Sequence, residues 1–151
     1  MPVTNKTGST PLSTLRCLWL FPLAYLLHAI EEYRGVGALH GINLSSTQFL
    51  VLSAAAWLLM IIGIVLSRKY RFSHFIGVCV GTVFMLNGFS HIINSLVITG
   101  YDAGVISGTV IFIPLGIATL ISLRNKMSRL RYGAGIALGL VIQGIATIVA
   151  L

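Results

Sequence analysis

Acidic side chains are nearly absent from this chain, which has three, Glu31, Glu32 and Asp102, among its 151 residues. A carboxylate-bridged di-iron centre draws about four carboxylates and two Glu-x-x-His elements from a helix bundle, so that class is excluded. Charge of either sign is scarce too, at 9% of residues against about 25% in a soluble domain. A chain so poor in charge suits lipid as its solvent rather than water. The two cysteines, Cys17 and Cys79, are expected near the cytoplasmic ends of their helices, where a reducing compartment excludes a structural disulfide.

What is abundant is apolar sequence, 56% of residues, gathered in long blocks. A hydrocarbon core of about 30 Å takes roughly 20 helical residues to cross, and five blocks approach that length, at about 16–33, 47–66, 74–98, 104–123 and 132–151. The breaks between them, "RGVGALHGINLSS", "SRKYRF", "TGYDAG" and "RNKMSRLRY", are turn-length and rich in Gly, Ser, Asn and charge. Sequential helices joined so closely become antiparallel neighbours. The expected fold is therefore all-α: a polytopic membrane helix bundle of five transmembrane helices. Residues 1–14 are expected to form a mobile polar tail and 15–151 a single bundle. "MPVTNKTGSTPLST" is too long for the start of a signal peptide and nothing after "LLHA" resembles a cleavage site, so the first block is expected to be retained as a helix.

With five crossings the tail, the second loop and the fourth loop share a side. They hold Lys6, Arg16, Arg68, Lys69, Arg71, Arg124, Lys126, Arg129 and Arg131, leaving only Arg34 of the ten basic residues for the other side. The positive-inside rule then puts the N-terminus in the cytoplasm and Leu151 outside, in a multi-pass plasma-membrane protein. This topology and anionic headgroups account for the net charge of +7, and no nucleic-acid partner is implied.

All three acids fall at or beyond the outer boundary. Asp102, in a tight loop beside Gly100 and Gly104, is expected simply to avoid the basic face. Glu31 and Glu32 are different, because with His28 they occupy i, i+3 and i+4 of one helical face. Two carboxylates that close at a membrane edge repel, so either one keeps its proton or a cation lies between them. Ionisable groups in a membrane span mark functional sites. The third block supplies a second polar stripe, Asn87, His91 and Asn94. At 1.5 Å per residue, His28 lies roughly 8 Å and His91 roughly 10 Å below the outer ends of two oppositely directed helices. They are expected to meet.

"HAIEE" at 28–32 and "NGFSH" at 87–91 resemble the HXXEE and NxxxH elements of the HXXEE family of small integral membrane proteins, and "FIPLG" at 112–116 is a degraded counterpart of its tyrosine-x-proline-glycine element. The resemblance implies that these residues matter and suggests an enzyme-like site, without supplying a reaction.

The residues themselves suggest one. Two histidines and a carboxylate form many catalytic zinc sites with a fourth position open for water. His28 and His91 with Glu31 or Glu32 are the expected ligands of one divalent metal, zinc before iron. The other glutamate is the expected general base on water acidified by the metal, and Asn87 the group that orients a ligand or donates to an oxyanion. The pattern is neither HExxH nor the paired-glutamate motif of intramembrane CAAX proteases. A metal-free proton or cation site and a structural cluster joining helices are the competing readings. Because the polar groups gather in the outer half, the expected function is a membrane-embedded metal-dependent hydrolase acting on a lipid or lipid-linked substrate near the outer leaflet; the alternative is a proton- or cation-coupled transporter or carrier subunit.

Other residues are expected in lesser roles: His74 at the interface, His40 as an optional extra ligand from the first loop, and Gln48 and Gln143 as interhelical hydrogen-bond groups. Trp19, Tyr70, Tyr101 and Tyr132 read as interfacial aromatics. The pairs Gly77/Gly81, Gly104/Gly108 and Gly135/Gly139 are expected to bring helices together, with one pair available to a homodimer. Pro114 should kink the fourth helix.

Overall fold

The structure, a computed structural model, describes residues 17–35 and 44–150. The N-terminal tail and His40 lie outside the described residues, which form helices and their short connections, with no strand among them. We number the helices α1 (Leu20–Tyr33), α2 (Ser46–Lys69), α3 (Ser73–Val97), α4 (Val105–Leu123) and α5 (Arg129–Ala150). Four of them, α2 to α5, are long and apolar enough to cross a membrane. The 14 residues of α1 extend about 21 Å, short of the hydrocarbon thickness, so the expectation of five spanning helices is met for four.

Helix α3 is the centre of the bundle, and glycine is the reason. Gly81 approaches the backbone of Gly116 and Gly88 that of Gly108, so α3 and α4 touch main chain to main chain; a Cβ on Gly88 would stand 2.6 Å from the Gly108 carbonyl oxygen. On another side of α3, Gly135 and Gly139 of α5 sit against Val78, Cys79 and Thr82. Two of the three expected glycine pairs thus pack helices. Of the third pair only Gly108 does so: Gly104 precedes α4 in a left-handed conformation and abuts two histidines instead.

The apolar core joins α1, α2, α3 and α4 through Phe21, Ala24, Ile64, Phe84 and Phe112, with Leu18 just ahead of α1. Its aromatic rings form a chain. Phe21 meets Phe84 edge-on at 4.8 Å, Phe84 lies 4.0 Å from Phe112, and Phe112 lies 4.2 Å from the imidazole of His28. Edge and offset contacts of this kind add to plain burial, and they hold His28 at the top of the core, 1% exposed. Outside the core, large apolar side chains such as Leu59, Val110, Ile121 and Ile148 are exposed, as a lipid-facing surface requires.

Two local expectations are corrected. Gln48 does not bridge helices: its Oε1 accepts the Ser45 backbone N–H at 2.9 Å while Ser45 Oγ accepts the Gln48 N–H at 3.3 Å, a reciprocal cap on α2. The four unpaired N–H groups at a helix start explain that choice. Ser45→Ala should accordingly cost about 1 kcal/mol, measurable as a lower midpoint of thermal unfolding in detergent. Gln143 likewise turns to its own helix, donating to Thr147 Oγ1 at 3.4 Å.

Pro114 acts one turn earlier than a simple kink implies. Residues Gly108–Phe112 form a π turn in which the Ile113 N–H reaches back to the Gly108 carbonyl. Proline has no N–H for the Val110 carbonyl four residues before it, and a wider turn relieves the misfit. Helix α2 also runs beyond its expected end to Lys69, since Arg68 and Lys69 favour the negative C-terminal end of a helix dipole.

Candidate metal centre

The C-terminal ends of α1 and α3 and the N-terminal end of α4 meet at one end of the bundle. There the two histidines predicted at equal depth become neighbours, with ring centroids 4.9 Å apart. Both aim Nε2 at the same atom: Glu32 Oε1 lies 3.2 Å from His91 Nε2 and 3.5 Å from His28 Nε2. All three ligand atoms fall within 4.8 Å of one another.

The other nitrogen of each ring is already engaged. His91 Nδ1 lies 2.6 Å from Asp102 Oδ2, and the second oxygen of Asp102 accepts from Asn94 Nδ2 at 2.7 Å. A carboxylate only accepts, so this contact assigns a proton to His91 Nδ1. In His28, Nδ1 lies 2.7 Å from Ser107 Oγ. The Ser107 hydroxyl also lies 3.5 Å from the Gly104 carbonyl, and when it donates there it accepts from Nδ1–H of His28. Neutral rings so arranged turn two Nε2 lone pairs toward a carboxylate oxygen, and His28 Nε2 is buried with no hydrogen-bond partner. Such a convergence calls for positive charge at its centre, as protons or as a metal ion.

Glu31 takes no part in it. Its Oε1 accepts the Tyr101 hydroxyl at 2.7 Å and the Ile106 N–H at 3.0 Å, and its Oε2 accepts the Ser107 N–H at 2.8 Å. The expected sharing of one cation or proton between Glu31 and Glu32 is therefore corrected. Adjacent helical residues point about 100° apart, and each carboxylate has found its own partners. Glu31 caps the exposed N–H groups of α4, where a negative charge is favoured by the helix dipole. The same hydrogen bond pushes the Tyr101 pKa up to about 12, so Tyr101 remains a donor at physiological pH.

Asn87, one turn below His91 on α3, is not part of the converging set; its Oδ1 is buried and has no partner. His74 begins α3 and stands about 25 Å along it from His91. A family model described as "Protein of unknown function with HXXEE motif" matches residues 19–119. This chain belongs to the HXXEE family. The matched stretch takes in His28, Glu31, Glu32, Asn87, His91, Asp102 and Ser107 and ends inside α4, so α5 lies beyond the HXXEE match. Comparison with curated proteins and with solved structures found no match.

Three residues around the HXXEE site were not foreseen. Asp102 was expected only to avoid the basic face, Tyr101 to be an interfacial aromatic, and Ser107 carried no expectation. For Tyr101 and Asp102 the signal available was loop length: "TGYDAG" is too short to carry its polar residues far from the ends of the helices it joins.

Proposed function

We propose that this HXXEE protein is a membrane-embedded metalloenzyme, with one divalent ion held by His28, Glu32 and His91, that hydrolyses a lipid or lipid-linked substrate near the outer leaflet. The observation that carries the reading is the convergence of two imidazole Nε2 atoms on one carboxylate oxygen, with both Nδ1 atoms engaged from behind. Bonds of about 2.0–2.1 Å at a tetrahedral zinc place neighbouring ligand atoms about 3.3 Å apart, and the two distances from Glu32 Oε1 are 3.2 and 3.5 Å. A histidine backed by a carboxylate, as His91 is by Asp102, is the usual support of a metal-bound imidazole.

The metal would acidify a bound water and polarise a substrate carbonyl or phosphoryl oxygen. The chain's own residues do the rest. Asp102 and Ser107 fix ring orientation, and Glu32 supplies the anionic ligand. Asn87 offers an unpaired buried acceptor one turn deeper, suited to a water or substrate hydroxyl. Glu31, occupied at the start of α4, serves as the clamp between α1 and α4, and not in either role, ligand or general base, left open between the two glutamates. The placement that goes with this reading is a multi-pass plasma-membrane protein with its basic loops in the cytoplasm, α1 completing a fifth crossing, and the site on the outer side.

A metal-free proton site is the second reading, favoured by the 3.2 Å contact of His91 Nε2 with Glu32 Oε1, which a protonated imidazole also satisfies. Elemental analysis of protein purified in mild detergent separates the two. Near-stoichiometric zinc or iron is expected in the wild type, lost in His91→Ala and Glu32→Gln. Glu31→Gln should keep its metal while losing about 1 kcal/mol of stability from the α4 cap. Wild-type protein that stays metal-free after incubation with zinc or ferrous ion sinks the metalloenzyme reading.

A further inference from the structure

Between α1 and α2 runs a groove of about 370 Å³, within the size range of small-molecule sites. Its walls include Tyr25, Ala29, Phe49, Ser53 and Trp57, and Arg34 stands at its upper end. Both ends are closed by contacts across the two helices. At the lower end Trp57 Nε1 donates to the Pro22 carbonyl at 3.1 Å; at the upper end the rings of Tyr33 and Phe49 lie 6.2 Å apart. Between these latches Tyr25 and Ser53 meet at the floor, and the exposed Leu26, Ile30 and Leu50 border the opening.

Two features tie the groove to a particular occupant. Tyr25 and Ser53 line its opposite walls, and its upper lining residues Tyr33 and Arg34 directly follow the candidate ligand Glu32 in the chain. Arg34 is the one basic residue at this end of the bundle, every other described cation lying in or beside the α2–α3 and α4–α5 turns, and no described residue forms an ion pair with it. A long apolar trough ending at a lone, exposed guanidinium matches a fatty acyl chain below a phosphate, because an arginine fork pairs with phosphate oxygens.

We propose that the α1–α2 groove binds one acyl chain of an anionic phospholipid entering sideways from the bilayer, with its phosphate at Arg34 and its ester region beside Glu32. The proposal rests on the membrane placement above and names the substrate class of that site; it does not require the metal. With the phosphate at Arg34, the ester bonds rather than the terminal methyl come to the level of Glu32.

The test uses full-length protein in phosphatidylcholine vesicles doped with either phosphatidylglycerol or phosphatidylcholine bearing a photoactivatable diazirine on one acyl chain. Labelled residues are mapped by mass spectrometry, and metal content is measured on the same samples. Labelling is expected to concentrate on the facing walls of α1 and α2, with phosphatidylglycerol preferred roughly fivefold. Ala29→Trp and Ala54→Trp, filling the groove from opposite walls, should each abolish that labelling, while Arg34→Gln should erase the preference and keep the labelling. Metal content should match wild type in all three variants. Labelling spread evenly over the exposed faces and indifferent to both tryptophans overturns the proposal, as do cross-links showing residues 36–43 of the chain itself in the groove. Confined labelling on a metal-free wild type would uphold the groove and remove only the metalloenzyme reading.

Discussion

Gly104→Ala is expected to leave the helices folded in detergent and the proposed metal site unable to bind. Gly104 has φ +106°, and a Cβ there would stand 2.6 Å from His91 Cε1, 2.8 Å from His28 Cε1 and 2.9 Å from His91 Nε2. Left-handed backbone alone costs an L-residue about 1–2 kcal/mol, but the contacts matter more. Neither ring has room to retreat: His28 is backed by Phe112 and tied to Ser107, and His91 is tied to Asp102. The added methyl must then push apart the two Nε2 atoms that have to share an ion within a few tenths of an ångström. Gly100→Ala, four residues earlier in the same loop, meets nothing closer than 3.7 Å and is the matched control. Zinc affinity measured by chelator competition should fall by at least about 100-fold for the first, equivalent to the loss of about 2.7 kcal/mol, and remain unchanged for the second. Wild-type affinity in Gly104→Ala would mean that His28 and His91 do not act together on one ion.

The Gly104 argument also marks where sequence reading stops. Long apolar runs announce membrane helices because the bilayer imposes length, and α2, α3, α4 and α5 appear within a few residues of their expected bounds. The meeting of His28 with His91 was legible for the same reason: depth in a bilayer is a coordinate that can be counted along the chain. Direction around a helix near its end is not so easily counted. Glu31 and Glu32 look equivalent in "HAIEE", and only the start of α4, with the unpaired N–H groups of Ile106 and Ser107, decides which of them turns away. Gln48 was misread, and the π turn ahead of Pro114 went unforeseen, for a related reason. Each answers to backbone groups of its own helix, a free N–H at Ser45 in one case and an unserved carbonyl at Val110 in the other, and such local needs outrank contacts to a neighbouring helix.

Asp102 is the residue whose misreading has the largest consequence, because it bears on the proposed metal site without joining its converging ligands. Its carboxylate holds the Nδ1 proton of His91 with one oxygen and the Asn94 amide with the other, and it is 6% exposed. In Asp102→Asn one oxygen becomes an NH₂ group. If the remaining oxygen keeps His91, the NH₂ faces the Asn94 amide donor; if it keeps Asn94, the NH₂ faces His91 Nδ1 and favours the tautomer with its proton on Nε2. That proton would sit on the very atom needed as a ligand. Either outcome weakens the site while leaving His28, Glu32 and His91 in place, and a 10–100-fold loss of metal affinity is expected. Asn94→Ala should lose less, since Asp102 keeps its bond to His91. The imidazole ¹⁵N shifts of His91 give a second readout: the wild type should show a protonated Nδ1, and Asp102→Asn a mixed or reversed assignment. An Asp102→Asn protein that binds zinc within twofold of wild type, with Nδ1 still protonated, would show that Asp102 merely closes the α3–α4 loop and that the orientation of His91 comes from the packing of α3 alone.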